Sequence, residues 1–365
     1  MKTSTNLSLS VFVLFLTIQV HAQNKIAVQN GGTPKFYTVL IDAVNNAVSG
    51  DTIYMPGGIF SADFTVSKKL HFVGVGHYID STKVTGITRL LGSISLGTNS
   101  DKGSIEGVYI DGDVNFGTTG NPIVIKEFSI RRCNVNKIYF NTDGIDTQIR
   151  YSNILIIENI IRDVISSTSI TYNYNYPSYT QVQSNIISNN FINRGIMGLG
   201  YNCVIKNNII FIPNMFSNYY IYVKGCTLDN NILFFSNSGG FSYTSAISYS
   251  TLRNNLFVIV QISAFASSNI YLSNLYTTST SSIFVSFSGT ASSQYSTLWD
   301  LHLQASSPGK NAGTDGTDIG IYGGAYPWKA GSVPSYPHFQ AATIAPQTDN
   351  TGKLNVKIKV AAQDN

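Results

Sequence analysis

Charge is scarce in this sequence. Asp, Glu, Lys and Arg make up 12% of the chain, roughly half the usual share. The 23 Lys and Arg residues are scattered rather than gathered. A nucleic-acid binder should concentrate them in a patch or stripe, so nucleic acid is excluded as a partner. Cysteine is scarcer still, with three residues, no CxxC and no Cys/His cluster. That excludes a structural zinc site and a disulfide framework, and in an exported chain it leaves at least one thiol unpaired. Long apolar runs are missing too: the stretch at residues 7–20 is short for a bilayer, carries Thr17 and Gln19, and lacks a basic stop-transfer flank.

Lys2, that apolar stretch and Val20-His21-Ala22 together predict a secretory signal peptide over residues 1–22, with the mature chain starting at Gln23. No cysteine lies at the cleavage point to carry a lipid, and no transmembrane anchor is expected after cleavage. The expected location is extracellular or at the cell surface. Removing Lys2 takes the net charge from +4 to +3. Solubility then rests on neutral Asn, Ser, Thr and Tyr, and stability on burial of a core.

What is abundant is a repeat. Val182-Gln-Ser-Asn-Ile186, Ile205-Lys-Asn-Asn-Ile209, Leu228-Asp-Asn-Asn-Ile232 and Leu252-Arg-Asn-Asn-Leu256 align, with weaker copies on both sides. The aligned asparagines are Asn134, Asn159, Asn185, Asn208, Asn231, Asn255 and Asn274, spaced by 25, 26, 23, 23, 24 and 19 residues. The motif lacks the fixed leucines of a leucine-rich repeat, and no helical heptads intervene. A period of this length with short β-branched runs fits one turn of a parallel β-helix. Asn tolerates the left-handed bend between strands. Stacked at the ~4.8 Å strand spacing, its amides can hydrogen-bond along a column. These asparagines are therefore expected to be structural, with the aliphatic residue after each (Val135, Ile160, Ile186, Ile209, Ile232, Leu256, Leu275) pointing inward.

Other columns follow from the same alignment. Cys203, Cys226 and Ser250 should be vertical neighbours, as stacked small residues or a Cys203–Cys226 disulfide. Lys206, Asp229 and Arg253 should form an alternating-sign column on an outer face. Residues 36–48 carry apolar side chains at helical spacing, a short helix suited to capping the first coil. Residues 23–326 are thus expected to form the capped β-helix. From residue 327, four prolines mark an extended tail that closes on an alternating strand, Lys353-Leu-Asn-Val-Lys-Ile-Lys-Val360. That strand could cover an edge along the last coils, or serve sorting or partner binding.

The helix, then Gly50-Asp-Thr-Ile-Tyr-Met-Pro-Gly-Gly-Ile-Phe60, then Lys68-Lys-Leu-His-Phe-Val-Gly-Val-Gly76, resembles the first coils of the pectin-lyase-like superfamily. The repeated asparagines extend the likeness over residues 36–325. The closing Ser307-Pro-Gly-Lys-Asn-Ala-Gly313 and Asp318-Ile-Gly320 are similar to the ends of many secreted β-helix proteins. The resemblance implies an all-β, single-stranded right-handed parallel β-helix.

Superfamily members acting on polysaccharides are lyases, with Ca²⁺ on carboxylates and an Arg or Lys base, or hydrolases with paired carboxylates. Asn141-Thr-Asp-Gly resembles the Asn-Thr-Asp of polygalacturonase-type hydrolases, which would make Asp143 catalytic. The second carboxylate position holds Arg162-Asp163, and the family's Gly-His-Gly and Arg-x-Lys are missing. For a lyase, the middle coils offer Ca²⁺ only Asp143, Asp146, Glu158, Asp163 and Asp229, with Arg132, Arg150, Arg162 or Lys137 as base. Asp111-Gly-Asp113 is a further metal candidate, although it reads first as a solvated turn. If the protein is an enzyme, Asp143, Asp163 and Arg162 are its catalytic candidates; no cofactor other than that Ca²⁺ is expected. Tyr172, Tyr174, Tyr176 and Tyr179, and then Tyr219, Tyr220 and Tyr222, offer rings on which sugars can stack. Polysaccharide binding without turnover is the leading expectation, a lyase or hydrolase the alternative, and a structural surface protein the second alternative.

Overall fold

The computed structural model describes residues 25–118, 121–142, 147–167, 178–213, 221–236, 247–259 and 267–362. The expected signal peptide lies outside them. The chain winds as a parallel β-helix with three long sheets. We call A the 12-stranded, B the 10-stranded and C the 8-stranded sheet. Each coil visits A, bends into B, turns into C and returns.

The core follows from the two-residue alternation of each short strand. In sheet A the inward column runs Ile53, Phe72, Ile105, Ile130, Ile156, Ile187, Ile205, Leu228 and Leu252. All nine are fully buried. One end of the solenoid is closed as expected: helix α1 (Leu40–Asn46) buries Leu40, Ala43 and Val44. It is shorter than the sequence suggests, because Lys35–Tyr37 extends and pairs antiparallel with Ile26–Gln29, which itself pairs with Thr52–Tyr54.

The column of asparagines exists, but not at every expected position. Asn159, Asn190, Asn208, Asn231, Asn255 and Asn274 stack, each bonding the next through its backbone N–H and its Nδ2 to the following Oδ1, at 2.9–3.0 Å. Asn185 is not a member. It lies at the other bend, between sheets C and A, where Ile154 N–H donates to its Oδ1 and its Nδ2 donates to Tyr151 O. Asn134 is displaced by one residue: Cys133 holds the column position, donating its N–H to Asn159 Oδ1, and Asn134 pairs opposite Ile160. The left-handed conformation falls on the preceding residue, at Arg132, Glu158, Asn189, Asn207, Asn230, Asn254 and Ser273, with φ between 49° and 58°. The Asn-Asn pairs thus divide the work: the first residue makes the bend and the second ties coil to coil.

Of the expected inward stack Val135 holds its place, and from the next coil onward the inward position shifts by one. Val135, Ile161, Ile192, Ile210, Leu233 and Phe257 face the interior. Ile160, Ile209, Ile232 and Leu256 face outward and are buried beneath the C-terminal chain, which supplies Phe284, Leu301, Ile319, Ile321 and Trp328. Ile186 lies on the outer side of sheet A, half-buried between Leu155 and Val204.

That C-terminal chain is a strap running back along the solenoid. Asn254 donates to Ala312 O, Asn230 bonds Thr314, Asn189 donates to Ile321 O and Gly323 O, and Arg132 donates to Val333 O. Glu106 then accepts from Ser335, and the Tyr336 ring meets Tyr54 in the first coil at 5.9 Å. Beyond it, His338–Ile344 and Val356–Ala361 form an antiparallel hairpin. Among the described residues the hairpin strands pair only with each other, so the terminal strand does not lie along the last coils.

Cys203, Cys226 and Ser250 stack as expected, and the cysteines are buried free thiols. Lys206, Asp229 and Arg253 also align, with Arg253 donating to both Asp229 carboxylate oxygens at 3.0 and 2.5 Å.

Candidate functional site

Each catalytic candidate within the described residues is held by a structural partner. Asp163 lies in the bend from sheet B to sheet C, with Lys137 Nζ and Arg194 Nη1 each 3.7 Å from its carboxylate. Arg162 donates to Asn134 Oδ1 at 2.5 Å and to the Ile110 and Asp111 carbonyls at 2.8 Å. Its guanidinium also lies 4.7 Å from the Tyr109 ring centre, a cation–π contact. Burial pulls its pKa below the usual arginine value, but three hydrogen bonds fix its donors. Asp143 and Asp146 lie outside the described residues.

Glu158 does not join Asp163. It sits at the bend from A to B, buried and ion-paired with Arg132 Nε at 2.6 Å, whereas Asp163 is at the far end of the intervening strand Ile160–Ile161. The two carboxylates are taken by different partners, Glu158 by Arg132 and Asp163 by Lys137 and Arg194, at opposite ends of that strand. Arg132, a candidate base, is fully buried in that pair, and Arg150 is buried beside the Pro122 carbonyl. The Asp111-Gly-Asp113 turn is more than solvated: Asp111 takes a two-pronged contact from Arg89, and Asp113 accepts from Asn136 at 2.7 Å. Among the described residues no three His, Cys, Asp or Glu side chains converge as a metal site.

The outer face of sheet C has a different character. Its central column reads Thr65, Ser95, Asn115, Tyr139, Ser166, Met197 and Tyr222. It contains no carboxylate. Tyr139 is half-buried, and burial pushes its phenol up to about 12, so it stays a neutral hydroxyl donor at physiological pH.

At the far end of this column the rings gather. In Ile221–Lys224, Ile221 and Val223 point inward, which puts Tyr222 and Lys224 together on the outside. Tyr179, from the one-turn helix α2 (Ser178–Gln181), stacks on Tyr222 with centroids 6.5 Å apart and planes 16° apart. Lys224 Nζ lies 6.0 Å from the ring centres of Tyr179 and Tyr201 and 5.4 Å from that of Tyr249. Two backbone features hold this arrangement. Gly225 adopts φ +69°, and a Cβ there would approach the Tyr201 ring to 2.3 Å. Tyr249 adopts φ 50° and leaves its side chain 66% exposed. An aromatic residue in that region is uncommon and costs about 1–3 kcal/mol.

Of the tyrosines singled out from the sequence, Tyr172, Tyr174, Tyr176, Tyr219 and Tyr220 lie outside the described residues; Tyr179 and Tyr222 lie at this cluster. Tyr139, Tyr201, Tyr249 and Lys224 were not anticipated. The alternation in Ile221-Tyr-Val-Lys224 carried the signal for Lys224. Tyr201 and Tyr249 meet through coil stacking, which needs the register. Compared with known proteins, the chain matches no family model and no curated protein.

Proposed function

We propose that this protein is an exported β-helix protein that binds extracellular or cell-surface polysaccharide on the outer face of sheet C without turning it over. One observation carries the reading: the rings of Tyr179, Tyr201 and Tyr249 surround Lys224 at the edge of sheet C, and Tyr222 stacks on Tyr179. Aromatic faces on a rigid support stack against sugar rings with little entropy to lose, and the lysine adds hydrogen-bond donors. A solenoid repeats a face along its length, which suits a polymer; here the column is partly exposed on both sides of Ser166, which is buried. The resemblance of the first coils to the pectin-lyase-like superfamily supports a right-handed helix and a glycan ligand.

Affinity electrophoresis through gels containing acidic or neutral polysaccharides tests this. The protein should be retarded by at least one glycan, and Tyr222→Ala with Tyr249→Ala should restore free migration while the far-UV spectrum is unchanged. Unaltered retardation of that double variant would place the ligand elsewhere. Release of unsaturated uronate or new reducing ends would replace binding by turnover.

A further inference from the structure

The two ends of the solenoid are finished differently. At the first coil, Ile26–Gln29 crosses antiparallel over Thr52–Tyr54 and helix α1 covers the core. At the last coil, Ile270–Leu272 and Leu275–Thr277 are the edge strands of sheets A and B. Ile270 is 58% exposed, Leu272 47% and Tyr276 51%. The devices that usually protect an open edge are charge, proline or a bulge. Residues 267–278 contain no Asp, Glu, Lys, Arg or Pro.

The C-terminal hairpin is also unfinished. Its register sets Ile344 opposite Val356 and Ala342 opposite Ile358 on one face, with Lys357 and Lys359 on the other. On the apolar face Ile344 is 63% exposed and Ile358 57%. A lone two-stranded hairpin is marginal in water and gains stability by packing its apolar face.

These two surfaces cannot meet within one molecule. Tyr336 anchors the strap at Tyr54, and only Pro337 separates it from the hairpin. From Tyr54 to Leu272 the aligned column of sheet A crosses nine strand spacings, roughly 43 Å at ~4.8 Å each. The seven-residue strand His338–Ile344 reaches about 24 Å.

We infer that the hairpin of one molecule docks on the open last coil of a second copy, so that the chains associate head to tail. The last coil's own residues carry no charge, and the nearest one, Arg253 beside Leu272, is already paired with Asp229, while Lys357 and Lys359 stay in water. Because the two surfaces differ, the contact is heterologous and leaves a free hairpin and a free coil end on every assembly, which permits open growth.

Sedimentation velocity of the full mature chain across a hundredfold concentration series tests the inference. The wild type should rise from monomer through at least a doubling of mass. Leu272→Lys and Ile358→Lys, each with native circular dichroism, should both stay monomeric. Mixed in equal amounts they should form a dimer and stop there, because one keeps the coil end and the other the hairpin. Val360→Thr, which keeps a strand-forming residue, should weaken association if Ile358→Lys disturbs the hairpin itself. A dimer formed by Leu272→Lys alone would mean that hairpins pair with each other, and a wild type that stays monomeric throughout would equally overturn the inference.

Discussion

Arg132 and Glu158, neighbours in successive coils at the A-to-B bend, form a fully buried ion pair with Nε and Oε2 2.6 Å apart. Arg132 also donates to the Val333 carbonyl at 3.1 Å, so the pair ties two coils to the strap. Without Glu158, buried Arg132 keeps Glu106 as its carboxylate partner, at 3.9 Å instead of 2.6 Å, so the cost should approach the ~3–5 kcal/mol of a broken buried pair. Glu158→Ala should therefore lower the thermal midpoint steeply. The double variant Arg132→Met with Glu158→Met should recover a large part of that loss. Differential scanning calorimetry of the two variants checks both.

The asparagine column makes a position-specific prediction. Asn208 Nδ2 donates to Ile187 O, Lys206 O and Asn231 Oδ1, and its own Oδ1 accepts from Asn190. Asn208→Ala should cost about 2–4 kcal/mol, since several buried groups lose partners together. Asn134, half-buried and outside the column, has one partner of its own, Arg162 at 2.5 Å, so Asn134→Ala should cost less, about 1–2 kcal/mol. Denaturant titration that found equal losses would argue against this register.

The same comparison shows how far the sequence could be read. The coil repeat, the first coils, the capping helix and the Cys203–Cys226–Ser250 and Lys206–Asp229–Arg253 columns were all legible, because each depends on local pattern plus an even period. The period is not even. Asn159 and Asn190 are 31 residues apart and Asn190 and Asn208 are 18, so the averaged spacing selected Asn185, which sits at the other bend. Asn189-Asn190 carries the same Asn-Asn signature as its neighbours and would have corrected the register. The strap was hidden for another reason. An outward aliphatic under a covering chain looks, in sequence, like an inward one. For the candidate site, strand alternation gives Tyr222 and Lys224, but Tyr201 and Tyr249 come from coils whose alignment local pattern does not fix.

His77 predicts a pH dependence. It is buried, and loss of hydration pushes its pKa down from 6.5 to about 4. The unfolded chain therefore binds more protons between those values, and stability must fall as pH drops through that window. The full contribution, present above about 6.5, is of order 3 kcal/mol and is lost by about pH 4. His77→Leu should flatten the profile of unfolding free energy between pH 7 and 4 relative to wild type. A variant profile parallel to wild type would show that His77 is not buried neutral.

All three thiols are buried, and desolvation pushes Cys133 up to about 12. The thiolate is the reactive form, so the folded protein should give no colour with Ellman's reagent. Denatured without reductant, it should give three equivalents. A single equivalent would reveal a Cys203–Cys226 disulfide.

The strap also changes how the molecule comes apart. An array of coils bound only to their neighbours frays from its ends, each repeat opening almost independently. Here one continuous segment is clasped at Asn254, Asn230, Asn189, Arg132 and Glu106 in turn. No coil along that line can open without loosening a thread shared with coils far from it. The thread can close only over coils that have already stacked, because its partners are spread over several of them. Once closed, it couples a chain of local equilibria into one cooperative transition.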